Sequence, residues 1–276
     1  MKKKESIITV TGLTVSQQDG TTEKNVLENI SFTLPEGSWT AIAGSNGSGK
    51  STLARAIAGL ISIRGGSISI ADNIAVHIVL QNPETQLLGD TVEEELMLSL
   101  SRGQTADKSP SRMEQIQAAW EEADLQLPFH TPVRQLSGGQ KQLLNIVCCL
   151  ALDAEVLVLD EVTSMLDPAS REHVLTLIRR LHRMGKTIVW ITHRAEELVH
   201  ADRVLVLDQG TLSFDGSTSQ FCYGTFNEQS SPCEQYGMEL PYVVQVARQL
   251  ERKGLTLGAQ PLLPEELAQA AAGLCR

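Results

Sequence analysis

No stretch of this sequence is long and apolar enough to cross a bilayer. The longest strongly apolar run, Leu143 to Leu152, is broken by Asn145 and falls well short of the ~20 residues that a spanning helix requires. Basic residues are in the minority: 23 Lys and Arg stand against 33 Asp and Glu, a formal net charge of −10. That balance excludes a general nucleic-acid binder, which needs a basic surface to neutralise phosphates. It also excludes direct adhesion to anionic lipid. Paired cysteine is missing too. The five cysteines, Cys148, Cys149, Cys222, Cys233 and Cys275, are odd in number and lack C-x-x-C spacing, so neither a disulfide framework nor a zinc site is expected. Cys148 and Cys149 fall in an apolar helical stretch, where a thiol reads as a small buried hydrophobe. The basic start Met1-Lys2-Lys3-Lys4 meets Glu5 with no secretory apolar segment behind it, and there is no internal repeat. The chain therefore reads as soluble and intracellular. What it does have is apolar content, 42% of 276 residues. That is enough for a large core in one big domain, or in a domain with an appendage.

Residues 7–15 (Ile7, Ile8, Val10, Leu13, Val15) and 26–34 have strand character. The first run ends in a Gln17-Gln18-Asp19-Gly20 turn and the second in Pro35-Glu36-Gly37. Thr40–Ala43 is a short apolar run entering a glycine-rich loop, and residues 51–61 have helical spacing. Short strands are expected between Ser67 and Leu80, helices over 91–100 and 112–125, and a further helix from about Ser137. Val156–Leu159 and Thr187–Ile191 are continuous apolar runs bounded by polar residues, which suit strands buried on both faces of a parallel sheet. A helix over Ala169–Arg183 separates them. The alternation predicts an α/β core with right-handed crossovers. Residues 217–233, rich in Ser, Thr and Gln, read as a linker. Two amphipathic segments follow. One begins at Pro241 with Val243, Val246, Ala247 and Leu250 on one face, the other at Pro264 with Leu267, Ala270, Ala271 and Leu274.

Gly44-Ser45-Asn46-Gly47-Ser48-Gly49-Lys50-Ser51 fits the phosphate-loop pattern G-x-x-x-x-G-K-[ST], with a strand before it and an apolar helix, opening at Ser51-Thr52, after it. Glycines let successive backbone N–H groups turn inward as an anion nest. The helix that follows points its positive end at the bound phosphates. Lys50 can reach the β- and γ-phosphates, and the Ser51 hydroxyl can ligate Mg²⁺. Val156-Leu157-Val158-Leu159 ends in Asp160-Glu161, at the carboxyl edge of the sheet where open α/β folds bind ligands. Alone, an acidic strand end is as often a helix cap. Beside the glycine loop, Asp160 is a candidate for the Mg²⁺ shell and Glu161 for polarising an attacking water. His193, after the third core strand, reaches the same edge and is a candidate donor to the γ-phosphate.

Leu136-Ser137-Gly138-Gly139-Gln140 contains a capping box, with Ser137 as N-cap and Gln140 as third helical residue. A cap does not explain two glycines in the first turn, where each weakens the helix; free N–H groups beside small residues suit another phosphate. Here the sequence resembles the ABC-type ATPases, whose signature is this pentapeptide. The resemblance spans about residues 7–215 and takes in the phosphate loop, Gln81, the signature, Asp160-Glu161, the Ser164-Met165-Leu166-Asp167 turn and His193, in the family order. It implies an α/β P-loop NTPase fold with a RecA-like core, an antiparallel β subdomain and a helical subdomain at about 83–150. Residues 1–220 would form this nucleotide-binding domain. The implied nucleotide-binding residues are Gly44, Ser45, Asn46, Gly47, Ser48, Gly49, Lys50, Ser51, Thr52 and Gln81; the Mg²⁺ set is Ser51, Gln81 and Asp160; and the catalytic pair is Glu161 and His193. Two such domains face each other head to tail in that family, so Ser137, Gly138, Gly139 and Gln140 would meet the partner's ATP.

Gln81-Asn82-Pro83-Glu84-Thr85-Gln86-Leu87, the Gly89–Glu95 segment with a second capping box at Thr91 and Glu94, and the tail from Gly237 to Leu267 resemble the energy-coupling factor (cobalt/vitamin-type) ATPases, and lean towards the first of their two paralogues. The resemblance implies an importer ATPase powering uptake of a vitamin or metal ion. Its partners would be a second ABC ATPase, a transmembrane coupling subunit and a substrate-binding membrane subunit, with no nucleic acid. It would sit at the cytoplasmic face of the membrane, held peripherally through protein. Residues 221–276 would be a small helical extension for dimerisation, the alternative being packing on their own domain. The ATPase of another ABC transporter, or a soluble ABC protein acting on DNA or ribosomes, are the other readings. The sequence departs from the family pattern at Gln17, where an aromatic usually stacks on adenine, in the short stretch 65–80, and at Leu143 and Met165.

Overall fold

The computed structural model describes residues 5–19, 22–101, 110–123, 125, 127–224 and 230–273. Two long strands open the chain. β1 (Ser6–Asp19) pairs antiparallel with β2 (Thr22–Pro35), and β1 also pairs with β4 (Gly65–Ile70), giving a three-stranded sheet in the order β2-β1-β4. The turn expected over Gln17–Gly20 is displaced. Gln17 and Gln18 remain in register with Lys24 and Glu23, because a ladder needs only backbone partners and tolerates polar side chains on its exposed end.

The second sheet has six strands in the order β5-β6-β7-β3-β8-β9. Five are parallel: β3 (Trp39–Gly44), β5 (Val76–Val79), β6 (Val156–Asp160), β7 (Thr187–Ile191) and β8 (Arg203–Asp208). β9 (Thr211–Ser217) closes one edge antiparallel to β8. The central strands are buried on both faces, and alternate residues serve different cores. Ala41, Leu157, Leu159, Ile188, Trp190 and Val204 face one apolar cluster. Ile42, Val156, Val158, Val189, Ile191 and Leu205 face another, together with the inner side of the β1–β2 hairpin. This is why those runs are continuously apolar rather than alternating.

α1 (Lys50–Ile57) follows β3 and packs into the hairpin-side cluster through Leu53, Ala54 and Ile57. On the other side lie α2 (Val92–Ser101), α3 (Pro110–Ala123) and α4 (Gly138–Ala151), whose buried faces share the large cluster with α5 (Pro168–Arg183). α6 (Ala195–Leu198) is a single turn between β7 and β8. No helix among the described residues is long and apolar enough to cross a membrane.

The linker expected over 217–233 is overturned for its described part. Ser217 and Gln220 form a capping box on α7 (Thr218–Tyr223), and Ser231 and Glu234 form another on α8 (Pro232–Gln235). The polar composition that imitates a linker is cap chemistry. Between the caps, Phe221, Cys222 and Cys233 are fully buried in the large cluster. The boundary placed at 220/221 therefore falls inside a helix. α9 (Tyr242–Arg252) buries Val243, Val244 and Ala247, with Val246 only half-buried, and Val244 joins the same cluster. α10 (Pro264–Gly273) buries none of its residues, but Leu267, Ala270 and Ala271 are half-buried; Leu274 of that expected stripe lies outside the described residues.

Candidate active site

The phosphate loop leaves β3 at the centre of the sheet. Gly44 has φ 141°, and a Cβ there would stand 2.1 Å from the Leu207 carbonyl oxygen, so the loop can hug β8 only with glycine. The loop ends at Gly49, the N-cap of α1, which has no side-chain cap and no acid in its first turn. The amides of that turn lack intrahelical acceptors, and no side chain among the described residues caps them. The Ser48 hydroxyl is likewise buried, 2% exposed, and has no hydrogen-bond partner among the described residues. Lys50 Nζ lies across the loop, donating to the carbonyls of Gly44 (2.9 Å) and Ser45 (2.8 Å). Burial lowers its pKa, against the opposing pull of Glu161 and Asp160. A cation among half-satisfied donors at an uncapped helix start fits a polyphosphate.

The ends of β6 and β7 bring the acids and the histidine to this loop. Ser51 Oγ donates to Asp160 Oδ1 at 3.0 Å, and Asp160 is 3% exposed. Burial raises the Asp160 pKa, the Ser51 hydrogen bond lowers it, and the Glu161 charge raises it. A buried carboxylate and a hydroxyl in contact form an all-oxygen donor pair of the kind a hard divalent cation takes. Glu161 has φ 49°, the left-handed region that non-glycine residues adopt at a cost. Its Oε2 accepts from Gln81 Nε2 at 3.3 Å and lies 3.7 Å from His193 Nδ1. Gln81 Nε2 also donates to Ser164 Oγ at 3.2 Å. These groups border a cleft of about 1060 Å³ whose wall includes Asn46, Gly47, Gly49, Lys50, Ser51, Thr52, Gln81 and Glu161. Gly44, Ser45, Ser48, Asp160 and His193 are not on that wall. Gln17 is, with Lys24, Asn25, Gln209 and Gly210, and no aromatic residue lines it among the described residues.

The signature residues lie elsewhere. Ser137, Gly138, Gly139 and Gln140 start α4, and none lines the cleft. The capping box forms as expected: Gln140 N donates to Ser137 Oγ at 3.2 Å and Ser137 N to Gln140 Oε1 at 2.9 Å. The glycines separate in role. A Cβ on Gly139 would come within 2.5 Å of both Ser170 Cβ and Ser170 Oγ, whereas one on Gly138 would meet only Leu166 Cδ2 at 3.7 Å. Packing on α5 accounts for Gly139; the exposed Gly138 has no such reason.

Several contributors escaped sequence reasoning. Gln142, 1% exposed on α4, donates through Nε2 to the carbonyls of Leu80 (3.1 Å) and Gln81 (3.0 Å). It thereby ties the Gln81 loop to the signature helix. A lone glutamine in an apolar helical face was the available signal. Ser164, which in the sequence reads only as part of the turn before Asp167, holds Gln81. Gln209 and Gly210 come from the β8–β9 turn and carry no local pattern.

The sequence matches the ABC transporter family over residues 27–164. Energy-coupling factor transporter ATP-binding protein EcfA1 of Geobacillus kaustophilus is 36% identical over 255 residues, covering 88% of this chain and 89% of that protein. Its counterpart in Lactiplantibacillus plantarum is 34% identical over 275 residues, covering 95% of each. Among solved structures, cbiO1 of Clostridium perfringens, described as part of the ABC transporter complex cbiONQ, superposes with a TM-score of 0.69 at 26% identity, covering 91% of this chain and 98% of that one.

Proposed function

Since the chain belongs to the ABC transporter family, among its energy-coupling factor ATPases, we propose that it hydrolyses MgATP in the cleft beside Lys50, paired with a second ATPase, to power uptake of a vitamin or metal ion through membrane partners. One observation carries this reading: the loop lysine, the Ser51–Asp160 pair and the Gln81–Glu161–His193 group converge at the carboxyl edge of neighbouring strands.

The loop amides and Lys50 bind and orient the triphosphate. Ser51, Asp160 and Gln81 are the residues that would hold Mg²⁺, which when bound supplies positive charge for the β- and γ-phosphate oxygens. Glu161 orients the attacking water and takes up its proton. His193, whose exposed ring lies beside Glu161, donates a hydrogen bond to the γ-phosphate. Ser137 and Gly138, exposed at the start of α4, complete the partner's site. Closure on ATP and opening after hydrolysis follow the general behaviour of γ-phosphate switches.

The membrane subunit docks at the groove of about 570 Å³ between the Gln81 loop and α4, where Leu88 is 82% exposed and Glu84, Asp90, Arg134 and Lys141 supply charge. This attaches the chain to the cytoplasmic face through protein. In the extension, α9 spends its buried stripe on its own domain. Tyr242 (72% exposed) and Leu255 (42% exposed) remain for the pairing contact, together with α10.

Glu161→Gln tests the chemistry. The variant should bind MgATP, lose hydrolysis and accumulate as a dimer on size-exclusion chromatography; hydrolysis at the wild-type rate refutes the assignment. Affinity purification of the full chain from membranes should recover a second ATPase and a transmembrane subunit. Recovery of ribosomes or DNA instead would overturn the transport reading.

A further inference from the structure

Glu197, in the one-turn helix α6, is 1% exposed. Its carboxylate accepts three side-chain hydrogen bonds. Thr163 Oγ1 donates to Oε1 at 2.7 Å, while Thr192 Oγ1 and Trp190 Nε1 donate to Oε2 at 2.6 and 3.2 Å. The Nε atoms of Arg171 and Arg194 stand 3.8 and 3.6 Å from Oε1, and neither makes a hydrogen bond among the described residues. A carboxylate this far from water is costly unless paired and hydrogen-bonded, and the identity of its partners is informative. Thr163 lies two residues beyond Glu161, and Thr192 immediately precedes His193. Thr192 Oγ1 also accepts from Arg194 N at 3.1 Å, and Arg171 donates through NH2 to the Leu166 carbonyl at 3.1 Å. One buried acid thus joins the loop after β6, the loop after β7 and the start of α5.

We propose that Glu197 is a positioning residue for ATP hydrolysis: it clamps the Glu161 loop to the His193 loop and so sets the separation of those two side chains. The proposal rests on the roles given to Glu161 and His193 above. Glu197 is buried and is not on the cleft wall, so it acts through Thr163 and Thr192. Its charge is not interchangeable with an amide. The Trp190 indole N–H is a donor only, so a glutamine that places its NH₂ at the Oε2 position sets donor against donor. With the NH₂ at the Oε1 position, it faces the two arginine Nε–H groups instead. The threonine hydroxyls can turn to accept from the amide, but in either orientation a buried donor is left facing a donor, and that strains the junction of the two loops.

The test is Glu197→Gln in the full chain, with MgATP affinity measured on the chain and turnover measured on the ATPase complex purified from membranes. Because misplacing a catalytic group by about 1 Å costs up to ~100-fold, kcat should fall about tenfold or more, while MgATP affinity, governed by the phosphate loop, should stay within about twofold. Thr192→Val, which at nearly constant volume removes both the tie to Glu197 and the acceptor for Arg194 N, should lower kcat in the same direction, and Thr192→Ser, which keeps the hydroxyl, should retain more kcat than Thr192→Val. If Glu197→Gln does not fold, the two Thr192 variants carry the test. Wild-type kcat in Glu197→Gln or in Thr192→Val overturns the proposal. So does a fall in kcat matched by an equal loss of ATP affinity, which is what a merely structural role would give. Glu161→Gln is run in parallel. If it still hydrolyses ATP, the active-site reading fails. If it is inactive while the Glu197 and Thr192 variants turn over normally, only the positioning role fails.

Discussion

The two signature glycines can be separated by adding one methyl group to each. In Gly139→Ala the new Cβ would lie 2.5 Å from Ser170 Cβ and Oγ, about 1 Å inside van der Waals contact, and backbone rather than a flexible side-chain tip must yield. Overpacking of that kind costs about 1–3 kcal/mol. In Gly138→Ala the nearest atom, Leu166 Cδ2, is 3.7 Å away, an ordinary contact. Both substitutions gain the same helix propensity, up to about 1 kcal/mol. That gain cancels when the variants are compared with each other, so their difference isolates the clash. Gly138→Ala should therefore be more stable than Gly139→Ala by about 1–3 kcal/mol, read as the difference in urea midpoint at constant slope. Adding Ser170→Gly should remove the clash and recover most of that difference, a coupling of about 1 kcal/mol or more in a double-mutant cycle. Function should separate the other way. Gly138→Ala, folded and stable, should bind ATP normally as an isolated chain but impair hydrolysis in the assembled pair, because the methyl intrudes where a partner's phosphate approaches. Equal stability of the two variants refutes the packing account of Gly139. Normal turnover of Gly138→Ala in the complex refutes the composite site.

Asp160 supplies a pH signature. Its pKa is raised above the ordinary aspartate value, with burial as the main cause, so the native state holds that proton more tightly than the unfolded chain. The resulting destabilisation is absent below the unfolded value of 3.8 and grows as pH rises towards the folded value. Nucleotide-free Asp160→Asn should therefore melt above the wild type at neutral pH, with the gap closing as the pH is lowered, and should lose the extra stabilisation that Mg²⁺ adds to ATP; a gap independent of pH contradicts the burial argument. Gln17→Tyr tests the base end of the cleft. Placing an aromatic ring there should tighten nucleotide binding by ~1 kcal/mol, roughly fivefold, for ATP and GTP alike, because stacking reads the ring and not its edge. Unchanged affinity in a titration would mean that the base does not lie over position 17.

What was legible in the sequence was whatever depends on local pattern. β3, β6 and β7 stand out because burial on both faces leaves them almost wholly apolar, with Thr40, Asp160 and Thr187 as the polar residues they keep, and Gly44 to Ser51 stands out because an anion nest needs glycines at fixed offsets. What was hidden depends on contacts between distant segments, or on one residue type serving two purposes. Ser217 and Ser231 look like linker residues because capping and flexibility draw on the same side chains; only the burial of Phe221 and Cys233 tells them apart. Gly139 looks like its neighbour until Ser170 is placed against it.

Glu197 shows the same limit in its sharpest form. Three residues before it is an arginine and four before it a histidine, so its surroundings in the chain suggest a solvated acid at a helix start. Its partner Thr163 is 34 residues away, and Thr192 and Trp190 reach it only because α6 folds back onto the end of β7. Arg171, which faces the same carboxylate, stands one residue from Ser170, the side chain against Gly139. The first turn of α5 is thus wedged between the signature turn and the acid that clamps the catalytic loops. A displacement of Gly139 must be absorbed by that turn or passed to Glu197. Pro168 and Ala169 in that turn are exposed and Ser170 and Arg171 half-buried, so what reaches Glu197 passes through the Ser170 and Arg171 contacts alone. Coupling between the two is therefore measurable: Gly139→Ala and Thr192→Val should be non-additive in kcat, and strict additivity would show that the turn absorbs the strain.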